Sequence, residues 1–204
     1  MNQTGQGRTV VDVEDDASVI GRSAREPERF AAIFDRHAPH IHRYLARRLG
    51  REAADDLVAE TFLAAFRKRQ QYDLQRPDAR PWLYGIATNL IGQHWRDELR
   101  EYRLRQVLVA ERDEVSHADR VAADVTARAV RPLLTSALAD LAQGDRDVLL
   151  LIAWEELTYE EVAAALEIPL GTVRSRLNRA RRKVREALGH ADPTTTFEES
   201  LSNG

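Results

Sequence analysis

Residues 157–188, LTYEEVAAALEIPLGTVRSRLNRARRKVREAL, decide the fold of the C-terminal part of the chain. Thr158 is followed three residues later by Glu161, which is the spacing of a capping box at the start of a helix. This first helix is predicted to end near Leu166, EIPLG to form a turn, and a longer helix to begin near Thr172. The pattern indicates a helix-turn-helix, a motif whose second helix enters the DNA major groove.

The second helix is the basic part of an acidic chain. Residues 172–188 hold seven Lys or Arg and one acid, a charge of +6. Because the whole chain carries −3, the remaining residues together carry −9. The forty residues before the helix, 132–171, hold eight acids and one base. Positive charge is therefore concentrated on one element, as local docking on DNA requires.

The helix has two chemically distinct sides. One side is an apolar stripe that is predicted to pack on the first helix: Val173, Leu177, Ala180 and Val184. The other side is polar and mostly basic: Arg174, Ser175, Asn178, Arg181, Arg182 and Arg185. The planar fork of arginine matches guanine edges and phosphates. The alternative is a solvated helix that pairs with its acidic neighbours, but the capping box, turn and one-sided stripe together favour DNA binding.

Composition limits the other possibilities. Cysteine is absent from the 204 residues, which excludes disulfides, thiolate metal sites and cysteine nucleophiles. The first twenty residues lack a basic start and an apolar core, so no signal peptide is predicted. The longest apolar run, residues 148–154, is too short to cross a bilayer, so no membrane insertion is predicted. We expect a soluble, cytoplasmic protein.

Helical periodicity continues through most of the chain and predicts an all-α protein of two small helical domains. Residues 1–25 are predicted to be a flexible tail, 26–100 the first domain, 101–131 a flexible and in part helical linker, 132–188 the helix-turn-helix domain, and 189–204 a second tail. In the first domain, Pro39 is expected to bend or divide the first helix and Gly50 to end it. A second helix covers residues 54–66, and a third begins near Pro81 after the loop DLQRPDARP.

Three segments together resemble one known family. LADLAQGDRDVLLLIAWEELTYEEVAAALEIPLGTVRSRLNRARRKV, DDLVAETFLAAFRK and RPWLYGIATNLIGQHWRDELR are similar to the two domains of extracytoplasmic-function (ECF) sigma factors, in the family's order. The resemblance covers about residues 30–188. Glu156 and Glu167 stand where that family usually has glycine, so both turns are expected to differ slightly from the family's.

The resemblance implies a promoter-specificity subunit of bacterial RNA polymerase, without catalytic activity or cofactor of its own. The C-terminal domain would read the minus-thirty-five element, with major-groove contacts from Arg174, Ser175, Asn178 and Arg179. Phosphate contacts would come from Thr158, Arg181 and Arg182. The N-terminal domain would bind core RNA polymerase and open the minus-ten element of promoter DNA. An anti-sigma factor is the third partner that the resemblance implies.

The second helix of the N-terminal domain carries an unusual outward stripe, Asp56, Glu60 and Leu63, opposite the buried Leu57 and Phe62. A leucine within an acidic stripe fits a helix that docks on a basic partner helix through one apolar anchor. These three residues are the predicted contacts with core polymerase. The alternative is an incidentally exposed leucine.

The third helix has polar residues on both flanks of its core stripe. Asn89, Trp95 and Arg96 are predicted to meet the melted strand, because aromatic, amide and guanidinium groups stack on and hydrogen-bond unpaired bases. By resemblance, the loop over residues 72–80 would hold the base displaced from the minus-ten element. Trp82 and Tyr84 lie on the same two flanks and could also contact unpaired bases; the alternative for them is that they pack in the core.

The predicted linker has the length that this arrangement needs. Its thirty-one residues reach at most ~100 Å when fully extended. The two promoter elements, roughly 25 base pairs apart, are separated by ~85 Å. Two domains on one tether can therefore occupy both elements and gain affinity through effective concentration.

Two other classes of function compete with this interpretation of the sequence. DRHAPHIH places Asp35, His37, His40 and His42 close together, and helical spacing puts His37 within reach of His40. Because His42 points away and Pro39 disrupts the register, no metal site is predicted. The stronger alternative is a stand-alone helix-turn-helix transcription regulator with an N-terminal sensing or dimerisation domain. Such a regulator binds duplex DNA alone, whereas a sigma factor acts through core polymerase.

Overall fold

A computed structural model describes residues 14–109 and 134–188 of the chain. The first range contains α1 (Asp16–Ser23), α2 (Ala31–Leu49), α3 (Arg51–Lys68) and α4 (Arg80–Val109), with short 3-10 helices at Pro27–Phe30 and Arg69–Gln71. The second contains α5 (residues 134–139), α6 (Gln143–Glu155), α7 (Tyr159–Ala165) and α8 (Leu170–Leu188). Neither range contains a β-strand, so the all-α prediction is confirmed for the described residues.

The chain divides into two compact units, residues 1–83 and 84–204, and the division falls inside α4. It does not coincide with the predicted linker at residues 101–131. Residues 101–109 of that linker are helical, as expected in part, and residues 110–131 lie outside the described part of the chain. The domain limits at 26–100 and 132–188 therefore stay a prediction.

Residues 14–25 do not form the flexible tail predicted for residues 1–25. Asp15 caps the start of α1 by accepting a hydrogen bond from the Ser18 backbone N–H at 2.7 Å, and Ile20 is fully buried. The sequence DASVIGRS contains only two large apolar residues, too few for a clear helical pattern, and tertiary burial stabilises the helix. Residues 1–13 lie outside the described part.

The core of the first unit is built mainly by α2 and α3, which pack against each other. Ile33, Ile41, Tyr44 and Leu45 of α2 are fully buried, and Phe30 meets Phe66 of α3 edge to face at 5.5 Å. Each such large side chain contributes about 1.5–3 kcal/mol of hydrophobic stabilisation.

Pro39 does not divide α2, which runs without a break from residue 31 to residue 49. A proline inside a helix removes one backbone hydrogen bond and costs about 3 kcal/mol. The buried side chains before and after Pro39, Ile33 and Ile41, offset that cost, and a 2.8 Å hydrogen bond between His37 and His40 spans the proline. Gly50 ends the helix at φ 88°, as predicted.

No helix in the described part of the chain combines the length and the hydropathy that crossing a membrane requires.

Candidate nucleic-acid interface

The helix-turn-helix begins with the predicted capping box at Thr158. The Thr158 hydroxyl accepts a hydrogen bond from the Glu161 N–H at 3.2 Å, and the Thr158 N–H donates to Glu161 Oε2 at 2.7 Å. The turn after α7 is closed by Ile168, whose N–H donates to the Ala163 carbonyl at 3.0 Å. α8 begins at Leu170, two residues before the predicted start.

Glu156 and Glu167 both adopt left-handed backbone, with φ values of 56° and 53°. These are the two positions where the sequence has glutamate in place of the expected glycine. The turns therefore keep the backbone geometry that favours glycine, and each glutamate is strained.

α8 presents one buried and one exposed face. Val173, Leu177 and Ala180 are buried, and the helix packs on both α6 and α7. Val184, the fourth residue of the predicted stripe, is only half-buried. The other side is the recognition face, and all of its members are exposed: Arg174, Ser175, Asn178, Arg179, Arg181, Arg182 and Arg185. The two-faced helix predicted from the sequence is confirmed.

Arg179 is held by a carboxylate on another helix that no pattern in the sequence indicates. Its Nε donates to Asp145 Oδ2 at 3.1 Å and its Nη2 to Asp145 Oδ1 at 2.9 Å. Asp145 lies in the first turn of α6 and is buried. The hydrogen bonds to Asp145 raise the pKa of Arg179. Helical spacing cannot reveal a pair separated by 34 residues.

The other residues predicted to contact DNA, which include Thr158 before α7, differ in how their hydrogen-bond donors are used. Thr158 uses both of its donors on Glu161, since its hydroxyl also donates to Glu161 Oε2 at 2.9 Å, so a phosphate contact would compete with the capping box. The Ser175 hydroxyl donates to the Thr172 carbonyl at 3.0 Å and keeps its lone pairs available to accept. Arg182 Nε lies 3.7 Å from Glu186 Oε1, and both side chains are exposed.

α3 presents the predicted outward stripe. Asp56 and Glu60 are exposed and Leu63 is 47% exposed, whereas Leu57 and Phe62 on the opposite face are buried. The placement is as predicted, and the role of these residues in binding polymerase stays a prediction.

The three residues of α4 that are predicted to meet the melted strand are open to solvent. Asn89 and Arg96 are exposed, and the Trp95 side chain is 43% exposed. Tyr84 is fully buried, which fits the alternative of a packing role. Trp82 is half-buried, with its ring centroid 4.9 Å from that of Tyr72.

The histidines of α2 have protein partners. His37 Nδ1 lies 2.8 Å from His40 Nε2, as the spacing predicted, while His42 points elsewhere and pairs with Asp55 at 2.7 Å. Within residues 14–109 and 134–188, no group of three or more His, Asp or Glu is arranged to hold a metal ion.

Comparison with known sequences decides between the two classes of DNA-binding protein. The sequence model described as Sigma-70 region 2 matches residues 33–101, and the model described as Sigma-70, region 4 matches residues 131–184. The RNA polymerase sigma factor CarQ of Myxococcus xanthus is 34% identical over 168 residues, which cover 81% of this chain and 92% of CarQ. The ECF RNA polymerase sigma factor SigL of Mycobacterium tuberculosis is also 34% identical, over 84% of this chain and 96% of SigL.

The chain belongs to the ECF sigma-factor family. It is an RNA polymerase sigma factor, and the stand-alone regulator is not favoured, because both sigma regions lie in one chain. The stripe on α3 and the polar flanks of α4 lie in the region 2 match, and most of α8 lies in the region 4 match.

Solved structures agree with this assignment. CnrH, solved in complex with the cytosolic domain of CnrY, is 28% identical, with a TM-score of 0.57 over 87% of this chain and 98% of that one. The sigma factor RpoE, solved in complex with the anti-sigma factor NepR from Bartonella quintana, matches in fold with a TM-score of 0.58 at 23% identity, over 80% of this chain and 98% of that one.

Proposed function

We propose that this sigma factor binds core RNA polymerase through region 2 and directs it to promoters that region 4 and region 2 read together. The observation that carries this is α8, whose fully buried stripe of Val173 and Ala180 fixes an arginine-rich face toward solvent. The chain adds specificity and promoter opening, and the polymerase supplies the phosphodiester chemistry, so the chain itself is not an enzyme. Its place of action is the cytoplasm.

Region 4 reads the minus-thirty-five element through the recognition face. Arg174, Ser175 and Asn178 enter the major groove, where guanidinium, hydroxyl and amide groups read base edges. Arg179 joins them with the guanidinium hydrogens that Asp145 does not engage, so it meets the groove already oriented. Arg181 and Arg182 contact phosphates, together with Thr158 if its capping box opens.

Region 2 meets the melted minus-ten strand through α4. Asn89 hydrogen-bonds unpaired bases, Trp95 stacks on one, and Arg96 neutralises a phosphate or stacks in turn. Their exposure on one helix supports this role. The loop before α4, residues 72–79, holds the base that leaves the duplex, since extruding a base into a protein pocket is a general way to read it.

The stripe on α3 docks on the polymerase. Leu63 is the apolar anchor, and Asp56 and Glu60 pair with basic residues around it. The support is the exposure of a large leucine on the same face as two acids, on a helix whose other face is buried.

An anti-sigma factor is the proposed regulator. Two structurally similar proteins were solved in complexes, RpoE with the anti-sigma factor NepR and CnrH with the cytosolic domain of CnrY. A partner that covers the α3 stripe or the recognition face would keep this chain from the polymerase or from the promoter.

The test is run-off transcription from a library of genomic fragments with purified core polymerase, with and without this protein. The proposal predicts new, discrete start sites only when the protein is present, and co-purification of protein and core enzyme. If the protein instead bound duplex DNA by itself and left the start sites of the polymerase unchanged, the proposed function would be wrong.

A further inference from the structure

One buried carboxylate ties the base-holding loop to the rest of the first unit. Asp16, the first residue of α1, is only 4% exposed. Its Oδ2 accepts hydrogen bonds from the Ala79 backbone N–H at 2.9 Å and from His37 Nε2 at 2.8 Å. Its Oδ1 accepts from the Arg36 guanidinium. The backbone N–H of Asp16 donates to the Pro77 carbonyl at 3.1 Å.

Two of those partners belong to the loop of residues 72–79. Pro77 and Ala79 lie at its C-terminal end, just before α4 begins at Arg80, and Ala79 is fully buried. One residue of α1 therefore bonds the loop twice, through a side-chain acceptor and a backbone donor. Through His37 and Arg36 the same carboxylate also bonds α2, so the end of the loop is fixed to two helices.

The rest of the loop is fixed from within by Tyr72. Its hydroxyl lies 2.7 Å from the Arg76 carbonyl oxygen and 3.1 Å from the Asp78 carbonyl oxygen, and its single proton is shared between these two acceptors. Burial raises the pKa of Tyr72, so the hydroxyl keeps its proton. The side chains of residues 73–78 remain exposed, so the contacts fix the backbone and leave the outer surface of the loop open to a ligand.

Asp16 is well suited to hold this backbone permanently. Burial alone would raise the pKa of Asp16, but hydrogen bonds from His37 and Ala79, and from Arg36, lower it to about 2. A carboxylate only accepts, so His37 Nε2 carries the proton in this pair. Without the carboxylate, the buried Ala79 N–H would lose its acceptor, and an unsatisfied buried donor is unfavourable.

We propose that Asp16 is a positioning residue for promoter reading, holding residues 72–79 in the shape that receives the base displaced from the minus-ten element. The proposal rests on the proposed function of this loop. If Asp16 has this role, α1 takes part in promoter reading although it precedes the residues that match region 2.

The test uses the full chain bound to core polymerase and single-stranded minus-ten oligonucleotides of a promoter found by run-off transcription. In a series of oligonucleotides, one base at a time is replaced by an abasic site. The wild-type protein should bind at least ten-fold more weakly when the held base is missing. Asp16→Asn should bind the intact oligonucleotide about ten-fold more weakly and the abasic one unchanged, so that its preference for the base is lost.

Asp15→Asn is the matched control, because Asp15 is the adjacent residue and its side chain bonds Ser18 at the same helix end. It should keep the base preference. A merely structural role for Asp16 would weaken binding to both oligonucleotides equally, and that result would overturn the proposal. Retention of the full preference by Asp16→Asn would also overturn it.

One further result of the binding experiment and one substitute experiment complete the test. If the wild-type protein is insensitive to every abasic site, the proposed function of the loop fails and the proposal with it. If Asp16→Asn does not fold, hydrogen exchange of the wild-type protein decides: the Ala79 amide should exchange at least a hundred-fold more slowly than the amides of the exposed residues Asp73 and Leu74. Fast exchange at Ala79 would show that Asp16 does not hold the loop.

Discussion

Asp145 and Arg179 form a two-point ion pair that joins the start of α6 to the middle of the recognition helix, with N–O distances of 3.1 and 2.9 Å. The carboxylate is buried and the guanidinium lies at the surface, so Asp145 fixes the orientation of an exposed charge that we propose faces DNA. An arginine fixed in this way loses less conformational freedom when it binds a base. We therefore expect Asp145 to affect promoter recognition through Arg179.

Asp145→Asn should weaken promoter discrimination. With Arg179 no longer oriented, the preference of the holoenzyme for the intact over a mutated minus-thirty-five element should fall about five-fold, or about 1 kcal/mol. Glu186→Gln is the control, since it makes the same charge change on α8 at an exposed pair. The ratio of run-off transcripts from the two promoters measures the effect. An unchanged ratio in Asp145→Asn would mean that the pair does not affect base reading by Arg179. An increased ratio would mean that the pair hinders Arg179 instead of orienting it.

Replacing the strained glutamates should stabilise region 4. Glu156→Gly and Glu167→Gly each relieve a left-handed backbone and should raise the free energy of unfolding by roughly 0.5–1 kcal/mol. Gly50→Ala is the converse: the space around it is open, so only its φ of 88° opposes a side chain, and it should lower stability by about 1 kcal/mol. Urea unfolding midpoints test all three. Destabilisation by both glycine substitutions would contradict the account of these turns.

Promoter reading and polymerase docking should be separable. Arg174→Ala with Asn178→Ala removes two exposed residues of the recognition face and leaves the buried Leu177 in place. Promoter-directed transcription should fall at least ten-fold, because each good base contact is worth about 1–3 kcal/mol. Core binding should not change. Arg179 is left out of this variant because its removal would strand the buried Asp145.

The reverse variant is Asp56→Arg with Leu63→Ala, which inverts one charge and removes the apolar anchor of α3. Co-purification with core polymerase should drop, while a thermal melt confirms that the fold survives. Loss of core binding in the recognition-face variant, or full transcription from the α3 variant, would show that the division of labour is wrong.

Much of the helical fold and of the recognition face could be predicted from local patterns in the sequence. The stripe of Val173 and Leu177 repeats with the helical period, and Gly50 ends a helix as such glycines do. The features that could not be predicted share one physical cause. Asp16 is buried by partners 21 and 63 residues away, Asp145 pairs across 34 residues, and the helix continues through Pro39 because its neighbours are buried. Contacts between distant residues leave no periodic signal in the sequence.

Acid should destabilise the first unit through His40. Burial, then the nearby His37, Arg80 and Arg43, lower the pKa of His40 from its ordinary value of 6.5 to about 4. Between those values the unfolded chain binds the proton and the folded chain does not, so stability is lost as the pH falls. The loss from pH 7 to pH 5 should be about 1 kcal/mol, allowing for partial exposure.

His40→Gln should remove most of this pH dependence, because glutamine can still donate toward His37 and does not titrate. Asp16 does not contribute in this window, since its pKa of about 2 keeps it ionised. Urea unfolding at pH 7 and pH 5 makes the comparison, with His42→Gln at an exposed pair as control. Equal losses in the wild type and in His40→Gln would rule out His40 as the cause.

The proposal that this chain recognises promoters only together with core polymerase is tested most directly by its affinity for duplex promoter DNA. The affinity is measured at physiological salt for the free protein and for its complex with core polymerase. Only α8 is strongly basic, and the remaining −9 repels phosphate, so the free protein should bind weakly. The complex should bind orders of magnitude more tightly and with sequence preference. Sub-micromolar, sequence-specific binding by the free protein, unimproved by core polymerase, would contradict the account.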